Sequence, residues 1–164
     1  MKPTIRVDTR EKRGHIEKTF QENDINFIKE KNDVGDYALI IPEIDYECNL
    51  YIELKANLEE LSANLCEKRD ANYMNRFERE LLRAKEQGKK LLIVIENPDW
   101  YEDIMKHNYK TRLKPKSFRG MLLTLRAKYG VEIVGVDTEL CSSYIYNVLY
   151  YQARAELREK GIKI

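Results

Sequence analysis

The chain has 164 residues and a net charge of +1 at pH 7, and 35% of its residues are charged. This length and balance predict one folded domain with its own core, and they exclude a disordered chain and a protein whose overall field attracts nucleic acid. The three cysteines are far apart in sequence and odd in number, which argues against disulfides. The sequence has neither an apolar N-terminal segment nor a long apolar run. We therefore expect a cytoplasmic protein with no membrane span.

The first thirty residues predict two strands around one helix. Residues 4–8 alternate in polarity, as a strand does, and the charged stretch that follows ends at Gly14. A helix fits residues 16–23, because Ile16 and Phe20 stand four apart on one face. A second strand fits residues 25–30.

The next two apolar runs, 37–41 and 50–54, predict neighbouring strands joined by a polar loop. Alternate side chains of a strand share a face, so Glu53 and Lys55 point to the same side. If the strands pair antiparallel, Asp36 comes close to Glu53. Two carboxylates and an ammonium suit Mg²⁺-dependent phosphodiester hydrolysis, because carboxylates hold the ion and a lysine can orient the attacking water. The alternative is an ordinary exposed ion pair on a strand.

The remaining sequence predicts strands that alternate with helices. Helices are predicted at 58–65, 72–87, from Pro98 onwards, 117–128 and 139–160, and strands at 90–96 and 131–136. Gly88 is placed as the end of the second of these helices, and Thr138 as the N-cap of the last. We therefore predict a single α/β domain, a mixed β-sheet flanked by helices with its core at about 4–137.

A basic segment precedes the fifth helix. It carries six cations and no acid, namely Lys106, Lys110, Arg112, Lys114, Lys116 and Arg119. Such segregation predicts contact with nucleic-acid phosphates, and the interleaved Tyr109 and Phe118 could stack on unpaired bases. A solvated loop before a helix is the alternative.

The last helix has a wide apolar surface made of two rows. One row is Leu140, Tyr144, Val148, Tyr151 and Ala155, and the neighbouring row is Ile145, Leu149, Ala153 and Leu157. An arc this wide can cover the sheet and still leave surface for another subunit, although core packing alone also explains it.

Three blocks of sequence now carry a resemblance: Val7-Asp8-Thr9-Arg10-Glu11, Gly35-Asp36-Tyr37 and Ile52-Glu53-Leu54-Lys55. In order and spacing they resemble the nuclease domain of XPF, Hef and related structure-selective endonucleases, whose signature is V-D-x-R-E followed by G-D-x(n)-E-R-K-x(3)-D. The resemblance implies the restriction-endonuclease-like PD-(D/E)xK fold, over most of the chain.

The resemblance also implies a metal site. Asp36 and Glu53 would bind Mg²⁺, with Mn²⁺ as a substitute, and the backbone carbonyl of Leu54 would be a further ligand. Glu11 would reach this metal, or a second one through water. Lys55 would position the nucleophilic water.

Other residues are implied as phosphate contacts. Asp8, Arg10 and Glu11 would line the same site, where Arg10 would meet phosphate while Asp8 holds it in place. A solvated strand end is the alternative for all three residues. Arg76 falls where family members carry a helix arginine near the active site. Because Arg76 lies four residues before Glu80, a surface ion pair is the alternative.

The chain departs from the family signature twice. Leu54 stands where the family has arginine, and it would point to the face opposite Glu53 and Lys55, where a leucine packed on the core is compatible with catalysis. Glu59, or Glu60 if one residue is inserted, stands where the family has its last aspartate. Glutamate keeps the charge of the aspartate but has one more methylene, and a metal site tolerates only small displacements of its ligands.

We therefore expect a Mg²⁺-dependent DNA endonuclease that cuts branched or flapped DNA. XPF-like nuclease domains pair, so the resemblance implies a homodimer through the last helix. A solitary domain of this size suggests a prokaryotic or phage-type protein. The alternatives are a catalytically inactive DNA-binding or scaffold module of a paired nuclease, and a nuclease acting on RNA or free ends.

Overall fold

The computed structural model describes residues 1–164, which contain six strands and six α-helices. The strands are β1 (Thr4–Val7), β2 (Phe27–Lys29), β3 (Tyr37–Ile41), β4 (Tyr46–Lys55), β5 (Lys90–Ile95) and β6 (Glu132–Gly135). The helices are α1 (Gly14–Glu22), α2 (Leu58–Leu65), α3 (Arg76–Glu86), α4 (Trp100–Met105), α5 (Pro115–Tyr129) and α6 (Cys141–Glu159). The strands form one mixed sheet in the order β2-β1-β3-β4-β5-β6. The predicted fold class is confirmed.

The chain divides into two compact units, and the first comprises Met1–Glu53 and Glu139–Ile164. In this unit β1 pairs parallel with β2 and antiparallel with β3, and β3 pairs antiparallel with β4. Its core contains Ile16 and Phe20 of α1 and one apolar row of α6. This unit holds the strand ends that carry the first two resemblance blocks.

The loop predicted between β3 and β4 is shorter than expected. Residues 42–49 were predicted as loop, whereas β4 begins at Tyr46, after a 3₁₀ turn at Pro42–Ile44. Tyr46 and Cys48 are buried and their neighbours are exposed, so the alternation that marks a strand begins four residues before the apolar run. Asp45 makes the tight reversal possible because it adopts the left-handed conformation, with φ of 49°.

The second unit comprises Leu54–Thr138 and contains the parallel pair β5 and β6. Five of the six side chains of β5 are buried, which explains its continuous apolar sequence. Helix α3 begins at Arg76 rather than at the predicted residue 72, because Asn75 is its N-cap and accepts a hydrogen bond from the backbone of Glu78. The predicted stop at Gly88 is confirmed, since Gly88 adopts φ of 67° directly after the helix.

Helix α6 begins later than predicted, and Thr138 is not its N-cap. Residues Thr138–Leu140 form a 3₁₀ turn, and Leu140 is the residue that precedes the first α-helical turn. The row from Ile145 to Leu157 is buried, whereas Leu140 and Tyr151 of the other row are 57% and 58% exposed. None of the helices combines the length and the apolar character that crossing a bilayer requires.

Candidate active site

Two acidic residues lie at one end of the β3–β4 pair. Tyr37 of β3 pairs with Ile52 of β4, so Asp36, which precedes Tyr37, and Glu53, which follows Ile52, occupy the same position along the ladder. The backbone N–H of Asp36 donates to the carbonyl of Ile52 at 2.7 Å, which fixes this register up to the strand end. Glu53 is 8% exposed and Asp36 is half-buried. The antiparallel arrangement expected from the sequence therefore brings these two residues together.

Glu11 is also buried near this strand end, but it is bound to an arginine that sequence reasoning missed. The Arg13 guanidinium lies 2.5 Å from Glu11 Oε2, and the Arg13 backbone N–H donates to Glu11 Oε1 at 2.7 Å. The same guanidinium nitrogen lies 3.9 Å from Asp36 Oδ2. Arg13 thus stands between two of the carboxylates, and its only signal in the sequence was its position two residues after Glu11.

No three His, Cys, Asp or Glu side chains form a group that could hold a metal ion. The expected set of Asp36, Glu53 and Glu11 is therefore not gathered in this structure, because both oxygens of Glu11 accept hydrogen bonds from Arg13. Asp36 and Glu53 remain as paired carboxylates. One or two carboxylates are what Mg²⁺ commonly takes from a protein, so this donor set fits that ion.

Asp8 is buried and accepts hydrogen bonds from both the backbone and the side chain of Arg10. Its Oδ1 accepts from the Arg10 backbone N–H at 2.9 Å and from Arg10 Nε at 2.8 Å, and its Oδ2 accepts from the backbone of Asn32 at 2.8 Å. Burial opposes ionisation of Asp8, but these hydrogen bonds and the charge of Arg10 together hold its pKa below the ordinary value. The Arg10 side chain is 66% exposed, so its guanidinium is oriented by Asp8 while remaining open to solvent.

Lys55 follows Glu53 by two residues on β4, and the strand's alternation puts both on one face. Lys55 is only 5% exposed, and its ammonium lies 5.3 Å from the centroid of the Phe77 ring. A cation over an aromatic face is stabilised by the ring's electrons, and this partly offsets the cost of burial. Leu54, between them in sequence, is fully buried, in agreement with the packing expected of a leucine at this position.

The two acids that stand in for the family's last aspartate make local hydrogen bonds. Glu60 Oε2 accepts from the backbone of Ala56 at 2.9 Å, while Asn57 Oδ1 accepts from the backbone of Glu60 at 2.8 Å, and this exchange closes the start of α2. Glu59 Oε1 accepts from the backbone of Lys110 at 2.9 Å. Both carboxylates therefore stabilise the second unit.

Arg76 is the first residue of α3 and its side chain is 74% exposed. Its guanidinium donates to Glu67 at 3.0 Å, so the ion pair that we observe is made with the loop before the helix. Phe77, the next residue, is the one beneath the Lys55 ammonium. Arg76 is therefore the direct neighbour, at the start of α3, of the residue that contacts the Lys55 ammonium.

The basic segment is largely exposed, as a phosphate-binding surface must be. Lys110, Arg112, Lys114 and Lys116 are exposed, Lys106 pairs with Glu102, and the half-buried Arg119 contacts the sulfur of Met105.

The expectation that Phe118 stacks on bases is wrong, because its side chain is fully buried. Tyr109 lies between the rings of His107, at 4.4 Å, and Phe118, at 5.1 Å. Phe118 has the helical spacing of the apolar residues of α5 and is buried with them, although cations flank it in the sequence.

Comparison with known proteins identifies the family. The sequence model of the ERCC4 domain matches residues 7–149, a range that begins at the first residue of the V-D-x-R-E block and contains every site residue described above. The chain belongs to the ERCC4 domain family. This is a nuclease family, and the XPF-type resemblance of the three sequence blocks is confirmed. A search of curated protein sequences gives no match.

Solved structures show the same fold as this ERCC4 domain. XPF from Aeropyrum pernix superposes with a TM-score of 0.65 at 18% identity, covering 95% of this chain and 69% of that one. XPF from Aeropyrum pernix in complex with DNA superposes with a TM-score of 0.62 at 18% identity, covering 96% of this chain and 66% of that one. At this level of identity the likeness shows the architecture alone.

Proposed function

We propose that this ERCC4 domain is a metal-dependent endonuclease that hydrolyses phosphodiester bonds in branched or flapped DNA. The observation that carries the proposal is the register of β3 and β4, which brings Asp36 and Glu53 to one ladder end in a chain of a nuclease family. Lys55 lies on the same face of β4 as Glu53. The XPF structure solved in complex with DNA supports DNA as the substrate.

The paired carboxylates would hold Mg²⁺, with Mn²⁺ as a substitute. Like charges at adjacent positions of two strands repel, and a cation between them removes that cost. Asp36 and Glu53, with the backbone carbonyl of Leu54, would be the protein ligands. When bound, the ion would supply Lewis-acid stabilisation of the phosphate and an activated water.

The remaining side chains would align the substrate. Lys55 would orient the attacking water, because its buried ammonium is held over Phe77 and cannot sample many positions. Arg10, oriented by Asp8, would donate to a phosphate oxygen. The exposed cations of the basic segment and Arg76 would contact the DNA backbone further from the cut.

We also infer that two copies of the chain associate through α6. Leu140, directly before this helix, and Tyr151 on it are both exposed and together leave apolar surface in contact with water. If a two-fold axis passed through the row that contains these residues, the row of one copy would cover the same row of the second copy.

One observation favours a second candidate, a DNA-binding module without catalysis. Arg13 already supplies a positive charge to Glu11 and Asp36, so the acids are partly neutralised without any metal. Such a module would bind the same DNA and leave it intact.

A substrate panel separates the two functions. The purified protein is incubated with 5′-labelled single strands, duplex, flap, fork and four-way-junction DNA, in Mg²⁺, Mn²⁺ or EDTA. We expect cleavage of flap or fork DNA in both metals, no cleavage in EDTA, and little cleavage of duplex. Binding without cleavage in either metal would favour the inactive module, and cleavage that persists in EDTA would refute metal dependence.

A further inference from the structure

The loop between α2 and α3 exposes a tyrosine in a strained backbone conformation. Tyr73 is 79% exposed, the highest value among the large apolar side chains of the protein. Its φ is 59°, in the left-handed region that a bulky side chain rarely adopts. Strain of this kind persists only where the surroundings impose it, and it concentrates at functional positions.

Asp70 imposes this conformation. Its Oδ1 accepts from the backbone N–H groups of Asn72 and Met74, at 2.9 and 3.1 Å, and its Oδ2 accepts from Arg79 at 2.6 Å. The backbones of Asp70 and Met74 are joined at 2.8 Å, and the Tyr73 N–H donates to the Asp70 carbonyl at 3.0 Å. The exposed ring therefore stands on a fixed loop.

The loop borders the proposed catalytic lysine. Glu67, at its start, pairs with Arg76, and Phe77 directly after Arg76 contacts the Lys55 ammonium. Burial disfavours the charged form of Glu67, but Arg76 and, more weakly, the charge of Lys55 hold the pKa of Glu67 below its ordinary value. The segments on both sides of Tyr73 are thus within electrostatic or direct contact of Lys55.

Basic residues lie on both sides of Tyr73 in the sequence. Lys68 and Arg69 are exposed on the same loop, and Arg76 and Arg79 follow at the start of α3. An exposed aromatic ring flanked by basic side chains is the arrangement with which proteins bind single-stranded nucleic acid, since bases stack on the ring while the cations contact phosphates. Paired bases do not offer a free face to such a ring.

We propose that Tyr73 stacks on an unpaired base next to the scissile phosphate, so that the α2–α3 loop recognises the single-stranded arm of a branched DNA. This inference rests on the proposed nuclease function. It assigns the preference for branched substrates to a residue outside the carboxylate site.

The test uses binding in EDTA, so that it does not depend on cleavage. A flap DNA carries 2-aminopurine as the first unpaired nucleotide, and affinity and base fluorescence are measured for the wild type, Tyr73→Ala and Tyr73→Phe. We expect the wild type and Tyr73→Phe to quench the fluorescence, and Tyr73→Ala to bind flap DNA about tenfold more weakly without quenching. All three should bind duplex DNA equally.

Tyr101→Ala is the matched control, because Tyr101 is 48% exposed on α4 but is followed by Glu102 and Asp103 rather than by cations. It should behave as the wild type does. Equal flap affinity and equal quenching in Tyr73→Ala and the wild type would overturn the inference while leaving the nuclease proposal intact. A wild type that neither binds nor cuts flap DNA would instead refute the proposed function itself.

Discussion

Arg13 places a positive charge between the carboxylates of Glu11 and Asp36. Carboxylates that are removed from water need a positive charge nearby, and in the metal-free protein the Arg13 guanidinium supplies it. A divalent ion held by Asp36 would compete for the same negative charge. Arg13 and the metal are therefore expected to oppose each other.

Arg13→Gln should raise the affinity for Mn²⁺ several-fold, because the competing charge is removed. Without metal the variant should lose about 1–3 kcal/mol of unfolding free energy, since Glu11 loses its charged hydrogen bond. Isothermal titration with Mn²⁺ and urea unfolding in EDTA measure the two effects. Lys12→Gln, an exposed neighbour of the same charge, is the control. Weaker Mn²⁺ binding in Arg13→Gln would show that Arg13 organises the ligands instead.

Asp8 should make stability depend on pH in the acidic range. Because its pKa in the folded protein lies below the reference value of 3.8, its contribution is complete above that pH and is lost as the pH falls through the folded pKa. Asp8→Ala should therefore cost about 1–3 kcal/mol of unfolding free energy at pH 7 and less at pH 3. Urea unfolding at both values measures this, and a difference that is the same at both pH values would contradict it.

Among the secondary-structure elements, the sequence was sufficient to predict strands β3 and β4, whose residues show a clear apolar pattern. The runs at 37–41 and 50–54 were found from their apolar, β-branched residues, and the antiparallel pairing on which the sequence analysis was conditional is the one that the structure has. That pairing was enough to place Asp36 beside Glu53. The buried leucine between Glu53 and Lys55 followed from alternation alone.

What could not be predicted depends on side-chain hydrogen bonds between distant or irregular segments. The start of α3 was misplaced by four residues, because Asp70 and Asn75 hold residues 70–75 in a loop that its apolar spacing does not reveal. The contact of Arg13 with Asp36 joins residues on either side of α1 and β2, and no local pattern marks it. The strained Tyr73 likewise has no signal in the sequence.

Asn75 should matter more than an ordinary helix cap. Its Oδ1 accepts from Glu78 at 2.8 Å, and its Nδ2 donates to the carbonyls of Asn64 and Leu65, so one buried side chain ties α3 to α2. Asn75→Ala should lose about 2–4 kcal/mol of unfolding free energy, because buried carbonyls are left unpaired as well as the helix start.

Asn57→Ala provides the comparison, since Asn57 caps α2 from an exposed position and should lose only about 1 kcal/mol. Urea unfolding compares the two variants. Equal losses would show that Asn75 acts as a cap alone.

At the scale of the whole molecule, the exposed row of α6 predicts the oligomeric state. Tyr151→Glu puts a charge into the proposed interface and should convert a dimer to a monomer at micromolar concentration, because burying an unpaired carboxylate is costly. Light scattering after size-exclusion chromatography measures the mass. Leu123→Glu, at a position 41% exposed on α5, should leave the mass unchanged. A wild type that is monomeric at these concentrations would contradict the interface.

The proposed nuclease activity requires that Asp36 and Glu53 jointly hold the catalytic metal ion. Its most direct test is the single-turnover cleavage rate of flap DNA in Mg²⁺ for Asp36→Asn and Glu53→Gln, with Asp45→Asn as an exposed acidic control and flap affinity in EDTA measured alongside. We predict that both variants lose at least about a hundredfold in rate while binding flap DNA as the wild type does, and that the control cuts normally. Wild-type cleavage by either variant would contradict the assignment.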